Sequence, residues 1–312
     1  MSLKIAVIGL GHMGKIHLNK LITFKEIEVS AVVDVDMACA KELSQNTGVK
    51  PCEDYRDAIQ PCDGAVIASP TETHYTIGRA FLEAGKHVFM EKPITVHPEE
   101  AQELINIAHK KKLVFQIGHL ERFNPAFSWA LQFVQEPVLI ETSRTSPFTG
   151  RSTDVDVVLD LMIHDLDLVL SLVNEEIQKV SAQGICFMTD KLDAVNARIE
   201  FTGGCVANLT ASRISPRKER AMTIYEKDKS LSIDLLQGRC VSITRNDCGN
   251  VDTAEYIAAH IDPVQDELSE FIHSIKGKKT PSVTGVDGLK ALMLATKIKE
   301  YIAEKQRVSN IQ

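Results

Sequence analysis

No stretch of the 312-residue chain approaches the ~20 apolar residues that a membrane-spanning helix needs. The opening Met1-Ser2-Leu3-Lys4 runs straight into an apolar segment without the pattern of a secretion signal, so a cytoplasmic protein is expected. A basic surplus is missing too. Lys and Arg number 35 against 42 Asp and Glu, and the formal charge of −7 leaves no cationic face for nucleic acid. Seven cysteines (39, 52, 62, 186, 205, 240 and 248) are an odd number and include no C-x-x-C pair, which excludes a disulfide framework and a zinc site from the expectations; no metal is assigned. Internal repeats and low-complexity segments are also lacking. A content of 44% hydrophobic and 25% charged residues describes an ordinary globular chain, long for one core and suited to two domains.

What is present begins at Ile5-Ala6-Val7-Ile8, a short unbroken apolar run of the kind a parallel strand buried on both faces shows, followed by Gly9-Leu10-Gly11-His12-Met13-Gly14. In this G-x-G-x-x-G pattern the first glycine makes the tight turn. The second lets the backbone approach a pyrophosphate, and the third lets the following helix, about 13–24, pack on the strand with its free N–H groups toward the anion. A second strand, Glu28–Val33, ends at Asp34, which lies 20 residues beyond Gly14, where a carboxylate accepts from an adenosine ribose. Further alternation of helices and apolar strands follows: Gly48–Cys52, Gly64–Ala68, His87–Met90 and Val114–Ile117. The turn Ser69-Pro70-Thr71 and the helix carrying His74 sit at a strand's carboxyl end, where dinucleotides lie.

The expected fold is α/β. An N-terminal doubly wound parallel sheet of Rossmann type occupies 1–118. A C-terminal α+β domain over 119–285 is built on an open, mainly antiparallel sheet of about six strands, covered on one face by the apolar helix Val157–Val173. A last helix, 286–312, packs back on the first domain.

Taken together, the glycine loop, Glu91-Lys92-Pro93 after the fifth strand and Asp160-Leu161-Met162-Ile163-His164 on a helix early in the second half resemble the Gfo/Idh/MocA family of NAD(P)-dependent sugar dehydrogenases. The resemblance covers nearly the whole chain. The segments His119–Pro125 and Leu159–Asp165 look most like the branch that oxidises UDP-N-acetylglucosamine at the sugar C3. The resemblance implies NAD as cofactor, held by Gly9, Gly11, His12, Met13, Gly14, Asp34, Ser69, Pro70, Thr71, His74, Glu91 and Lys92. It implies Lys92, Asp160 and His164 as the catalytic group.

The residues suit those roles. Asp160 and His164 are spaced i and i+4, on one helix face, where a carboxylate would fix an imidazole's tautomer and raise its basicity. His164 then suits a general base for a sugar hydroxyl, with Lys92 as proton relay or alternative base. The competing reading is that Asp160 and His164 form a solvated ion pair on the helix surface, a reading that Asp165 and Asp167 on the same helix favour. For the substrate, the candidates are His119, Arg122, Asn124, Arg144 and Arg151; the fork of Arg122 suits a diphosphate, and an inter-domain salt bridge is an equal alternative for it. His17 is expected to be a packed structural histidine. Many family members carry glycine where Met162 stands and glycines where Asp156-Val157-Val158 stand, which bears on sugar access.

The leading expectation is therefore a hydride-transferring enzyme acting on a nucleotide-sugar such as UDP-N-acetylglucosamine. A dehydrogenase of a free sugar or inositol, and a non-catalytic dinucleotide-binding regulator, are the alternatives. Asp34 followed by Asp36 opposes a 2′-phosphate and favours NAD over NADP. A homodimer or homotetramer is expected through the open face of the second sheet, with Val195, Ala197, Ile199, Val206 and Leu209 as its apolar contacts.

Overall fold

The computed structural model describes residues 2–150 and 155–309. The chain divides into two compact units, Met1–Leu120 with Asp262–Leu289, and Glu121–Ile261 with Lys290–Gln312. Arg151 lies outside the described residues.

In the first unit, β1 (Leu3–Ile8), β2 (Ile27–Val33), β3 (Pro51–Cys52), β4 (Gly64–Ile67), β5 (His87–Glu91) and β6 (Phe115–Gly118) form one parallel sheet in the order β3-β2-β1-β4-β5-β6. The connecting helices are α1 (His12–Leu21), α2 (Met37–Thr47), α3 (Arg56–Ile59), α4 (Thr71–Glu83) and α5 (Pro98–Lys111). Ile5 to Ile8 are buried, as a doubly covered central strand requires. Strand order reverses between β1 and β4, which places the loops after those two strands at the switch point where a doubly wound sheet binds its ligand.

The second unit contains α6 (Pro125–Leu131), β7 (Leu139–Thr145), a π-helical turn (Val158–Met162) that continues into α7 (Ile163–Leu172), and the strands β8 (Ile177–Ile185), β9 (Ala194–Phe201), β10 (Val206–Ser212), β11 (Glu219–Tyr225), β12 (Lys229–Asp234), β13 (Arg239–Arg245) and β14 (Val251–Ile257). They form an eight-stranded sheet, β14-β13-β12-β11-β7-β10-β9-β8, antiparallel except where β7 and β10 run parallel. The strand that was not expected is β14, VDTAEYI, an edge strand on which only Tyr256 is half-buried, stacked on Trp129, so its sequence lacks the apolar alternation that marks a strand.

Two expectations change here. Helix α8 (Pro263–Gly277) belongs to the first unit, where Leu268, Phe271 and Ile272 pack with Leu10, Leu18, Leu21 and Phe89. Helix α9 (Gly285–Ser309) belongs to the second unit from Lys290 onward, and its Leu294, Ala295, Ile298 and Ile302 join that unit's core. Of the terminal helix only its start, Gly285–Leu289, belongs to the first unit, where Gly285 packs on Phe115 and Gly288 on Ile117; α8 lies there along its whole length.

The second correction concerns faces. Val195, Ala197, Ile199 and Leu209 are buried in the same core as Leu166 and Val169 of α7, so they lie on the covered side of the sheet. Of the five residues expected on the open face only Val206 is there, in register with Leu139, which is in turn opposite Tyr225. A strand's side chains alternate, so choosing the wrong face moves a whole set of contacts at once.

Candidate active site

The glycine loop after β1 has the shape of a dinucleotide cradle. Gly9 has φ +84°, and a Cβ on it would lie 2.5 Å from the backbone nitrogen of Ser69, so the loops after β1 and β4 meet there with no room for a side chain. A Cβ on Gly14 would fall 1.8 Å from the Gly9 carbonyl oxygen, because the first turn of α1 packs directly on the loop. Gly11 differs: a Cβ there would meet no protein atom within 4 Å. Packing of the protein does not require glycine at that position, whereas close approach of a pyrophosphate to the backbone does. Gly11 caps α1, His12 and Met13 open its first turn, and no acidic residue stands in that turn to oppose an anion.

Asp34, just past β2, accepts from the Leu10 N–H at 2.7 Å through Oδ2 and from the Asp36 N–H at 2.9 Å through Oδ1. Its carboxylate is thereby fixed beside the glycine loop. Asp36 itself caps α2, accepting from Ala38 and Cys39, so discrimination against a 2′-phosphate falls to Asp34.

The turn after β4 is held to the Glu91-Lys92-Pro93 turn by His74. This ring is buried, with Nδ1 2.9 Å from the Pro93 carbonyl oxygen and Nε2 2.9 Å from that of Ser69. Burial pushes its pKa below the ordinary value, against the pull of those carbonyls. His74 thus ties the turn after β4 to the turn after β5, both ring nitrogens being engaged by backbone carbonyls. Ser69 Oγ and Thr73 Oγ1, 2.7 Å apart, stiffen the same corner, and Pro70 precedes α4 with Thr71 as its first residue.

Glu91 is buried at the end of β5, and its Oε1 lies 2.6 Å from His17 Nε2. Burial pushes the Glu91 carboxyl up; the hydrogen bond and charge of His17, together with Lys92, bring it below the ordinary value. His17 is fully buried against the edge of Phe89, as a structural histidine is expected to be. Lys92 is half-buried next to this anchored carboxylate.

In the second unit Asp160 falls within the π-helical turn and His164 within the first turn of α7. A π turn has more residues per revolution than an α-helix, yet residues four apart still lie near one face. Such turns occur frequently at functional sites. His164 is buried and Asp160 half-buried.

The neighbouring carboxylates are not solvated. Asp165 receives a two-pronged contact from Arg144, at 2.7 Å from Nη2 and 3.0 Å from Nε, and Arg144 Nη1 donates to Glu121 at 2.8 Å. All three are buried. Burial pushes Asp165 up, and Arg144 opposes that shift; burial works against the charge on Arg144, and Asp165 and Glu121 more than restore it. Arg220 adds a contact to Glu121 at 3.1 Å. Asp167, also buried, pairs with Arg122 Nε at 3.1 Å.

These contacts reassign three substrate candidates. Arg144 is committed to Glu121 and Asp165 and holds α7 on β7. Arg122 forms an ion pair with Asp167 inside the second unit, which replaces the inter-domain bridge. Asn124 caps α6 through Ala126 N–H and donates to the Leu235 carbonyl at 2.9 Å, so its side chain is spent on the fold. His119 is buried just past β6. Met162, Val157 and Val158, which replace the family's glycines, are fully buried in the core. Buried ion pairs of this kind are not readable from sequence, because nothing in the spacing of Glu121, Arg144 and Asp165 reveals that a strand and two helical segments bring them together.

A dinucleotide cradle on one unit, and on the helix of the other a half-buried Asp160 four residues before a buried His164, define a class, the NAD-dependent dehydrogenases with a separate α+β domain. The chain belongs to the Gfo/Idh/MocA family: residues 3–119 match the model described as oxidoreductase family, NAD-binding Rossmann fold, and residues 116–232 match that of the GFO/IDH/MocA C-terminal domain. It is 33% identical over 96% of its length to UDP-N-acetylglucosamine 3-dehydrogenase of Acidithiobacillus ferrooxidans, covering 97% of that protein. A solved structure of that enzyme superposes with a TM-score of 0.92 at 32% identity, covering 97% of this chain and 98% of the other. Myo-inositol 2-dehydrogenase of Thermotoga maritima is 26% identical, with 98% of each chain covered. The protein is an NAD-dependent dehydrogenase. Among its described residues no helix is long and apolar enough to cross a membrane.

Proposed function

We propose that this dehydrogenase oxidises the C3 hydroxyl of UDP-N-acetylglucosamine or a closely related nucleotide-sugar. The observation that carries the reading is the end-to-end similarity, at 33% identity, to the enzyme of that specificity; this chain has Lys92, Asp160 and His164 to perform the chemistry. NAD⁺ supplies the hydride acceptor when bound. His164 takes the proton of the sugar hydroxyl, with Asp160 orienting its imidazole, and Lys92 polarises the same hydroxyl while contacting the cofactor ribose. Asp165 and Asp167, each paired with a buried or half-buried arginine, fix the rotation and depth of the helix that carries His164. Gly9, Gly11, Gly14 and Asp34 hold the dinucleotide. His119 and Arg151 stay as candidates for substrate contact.

Incubation of the purified protein with NAD⁺ and a panel of nucleotide-sugars, free hexoses and inositols, followed by absorbance of the reduced cofactor, tests the substrate. UDP-N-acetylglucosamine should give the highest kcat/KM; preference for an inositol would replace the nucleotide-sugar reading. Cytoplasmic location belongs to the same proposal, as does association of like chains through the open face of the eight-stranded sheet.

A further inference from the structure

Beneath the Glu91-Lys92-Pro93 turn lies a buried acidic side chain that the reaction outlined above does not use. Glu267 projects from α8 within the first unit, is fully buried, and neither of its oxygens has a hydrogen-bond partner among the described residues. One ligand atom each of His17, Glu91 and Glu267 lie within 4.8 Å of one another. Glu91 Oε1 is engaged by His17 Nε2, and Glu91 Oε2 lies 3.3 Å from the Lys92 N–H, so Glu91 spends its charge on the turn. Gln116 of β6 donates to the Glu267 carbonyl at 2.9 Å, which fixes that backbone without serving the carboxyl group.

We propose that Glu267 is a positioning residue held as the neutral acid, so that the single negative charge of the buried cluster stays on Glu91 and keeps the Lys92 turn in its cofactor-binding shape. Two carboxylates this close in a dry interior do not both ionise, and the one with two hydrogen-bonded partners keeps the charge. The titratable groups facing Glu267 are His17 from α1 and Glu91 from β5, and Lys92 acts on Glu91. Burial, and then the charge on Glu91, push the Glu267 carboxyl well above its ordinary value.

The sign of the resulting pH dependence is fixed. An acid whose folded pKa is raised contributes full stability below its unfolded pKa, and stability falls as pH rises from there toward the folded pKa, because the unfolded chain has already released the proton. Glu267→Gln copies the neutral form permanently. Its melting temperature should match or exceed that of wild type, and the gap should widen as pH rises from 5 to 8, with no substrate involved. NADH affinity of the wild type should weaken at the alkaline end while that of Glu267→Gln stays within about twofold across the range.

Should Glu267→Gln fold poorly, Glu91→Gln provides the second arm: without the neighbouring charge Glu267 ionises more readily, and the alkaline fall in stability should shrink. Parallel melting curves for wild type and Glu267→Gln, or a stoichiometric metal ion retained through chelator dialysis and lost in Glu267→Gln, would overturn the inference. The inference rests on the dehydrogenase reading only for the role of the turn. Melting and NADH binding report on it even if the substrate proposal fails.

Discussion

At the residue scale, the proposed division of labour separates binding from proton transfer. His164 lies in the unit that does not hold the glycine loop, so His164→Ala should leave NADH affinity nearly unchanged and lower turnover by roughly 10²–10⁴-fold, the usual contribution of a positioned base. Lys92 follows the anchored Glu91, and Lys92→Ala should weaken cofactor affinity as well as rate. Asp160→Asn should keep the fold and distort the acid limb of the pH–rate profile. Turnover near the wild-type level in His164→Ala, with none in Lys92→Ala, would transfer the base to the lysine. The proposed trio of Lys92, Asp160 and His164 stood out in the sequence because each member belongs to a short motif. The residues that hold the trio did not. Arg144 was readable as a cation but not as one sealed between Glu121 and Asp165, and Asp165 and Asp167 had the look of a solvated face although both are buried. Glu267 did leave a signal: it is four residues before Phe271 on the apolar stripe of α8, where a carboxylate has no reason to be unless something neutralises it.

Elements are where sequence reading worked best and where its reasons can be separated by experiment. The strands β1, β4, β5 and β6 of the parallel sheet were visible as apolar runs between turn signals, because strands covered on both faces need no polar alternation, whereas the two-residue β3 showed only as a short segment. The polar edge strand β14 gave no such run. Within the loop between β1 and α1, the three glycines serve different masters. Gly14→Ala would gain helix propensity of about 1 kcal/mol. The new Cβ would have to displace the Gly9 carbonyl from 1.8 Å, a backbone clash that costs about 3 kcal/mol or more and wins. Gly11→Ala meets open space, so it should melt within a degree or two of wild type yet bind NADH about tenfold or more weakly, since the methyl group occupies the approach of the pyrophosphate. Calorimetry and NADH titration on the pair check this. A strongly destabilised Gly11→Ala, or one with unchanged affinity, would remove the assignment of that space to the cofactor.

On the scale of the whole molecule, a parallel first sheet and a mainly antiparallel second one were foreseen, but the parallel pairing of β7 with β10 and the unit to which each late helix belongs were not. Both α8 and α9 are amphipathic, and an apolar stripe does not say which core it will enter. The same ambiguity of faces led the expected self-association contacts to the covered side of the eight-stranded sheet. The open side still has the dimensions of an interface. Eight strands of about seven residues, at ~4.8 Å between strands and ~3.4 Å per residue, present roughly 800 Å², the amount each partner buries in a standard stable complex. Along it runs a row of Val206, Leu139, Tyr225 and, beyond Ser230, Ile243, with Tyr225 37% and Ile243 45% exposed. Flanking residues of both signs, Arg198 beside Glu200 and Glu219 on β11, allow a second copy of the same face to be complementary about a two-fold axis. Light scattering at micromolar concentration should therefore give a dimer or a larger even assembly. Tyr225→Asp combined with Ile243→Asp places charges in the middle of the row without touching the core, and should yield monomers that still bind NADH. A wild-type monomer would remove the interface, and an oligomer indifferent to the double substitution would move it to another surface.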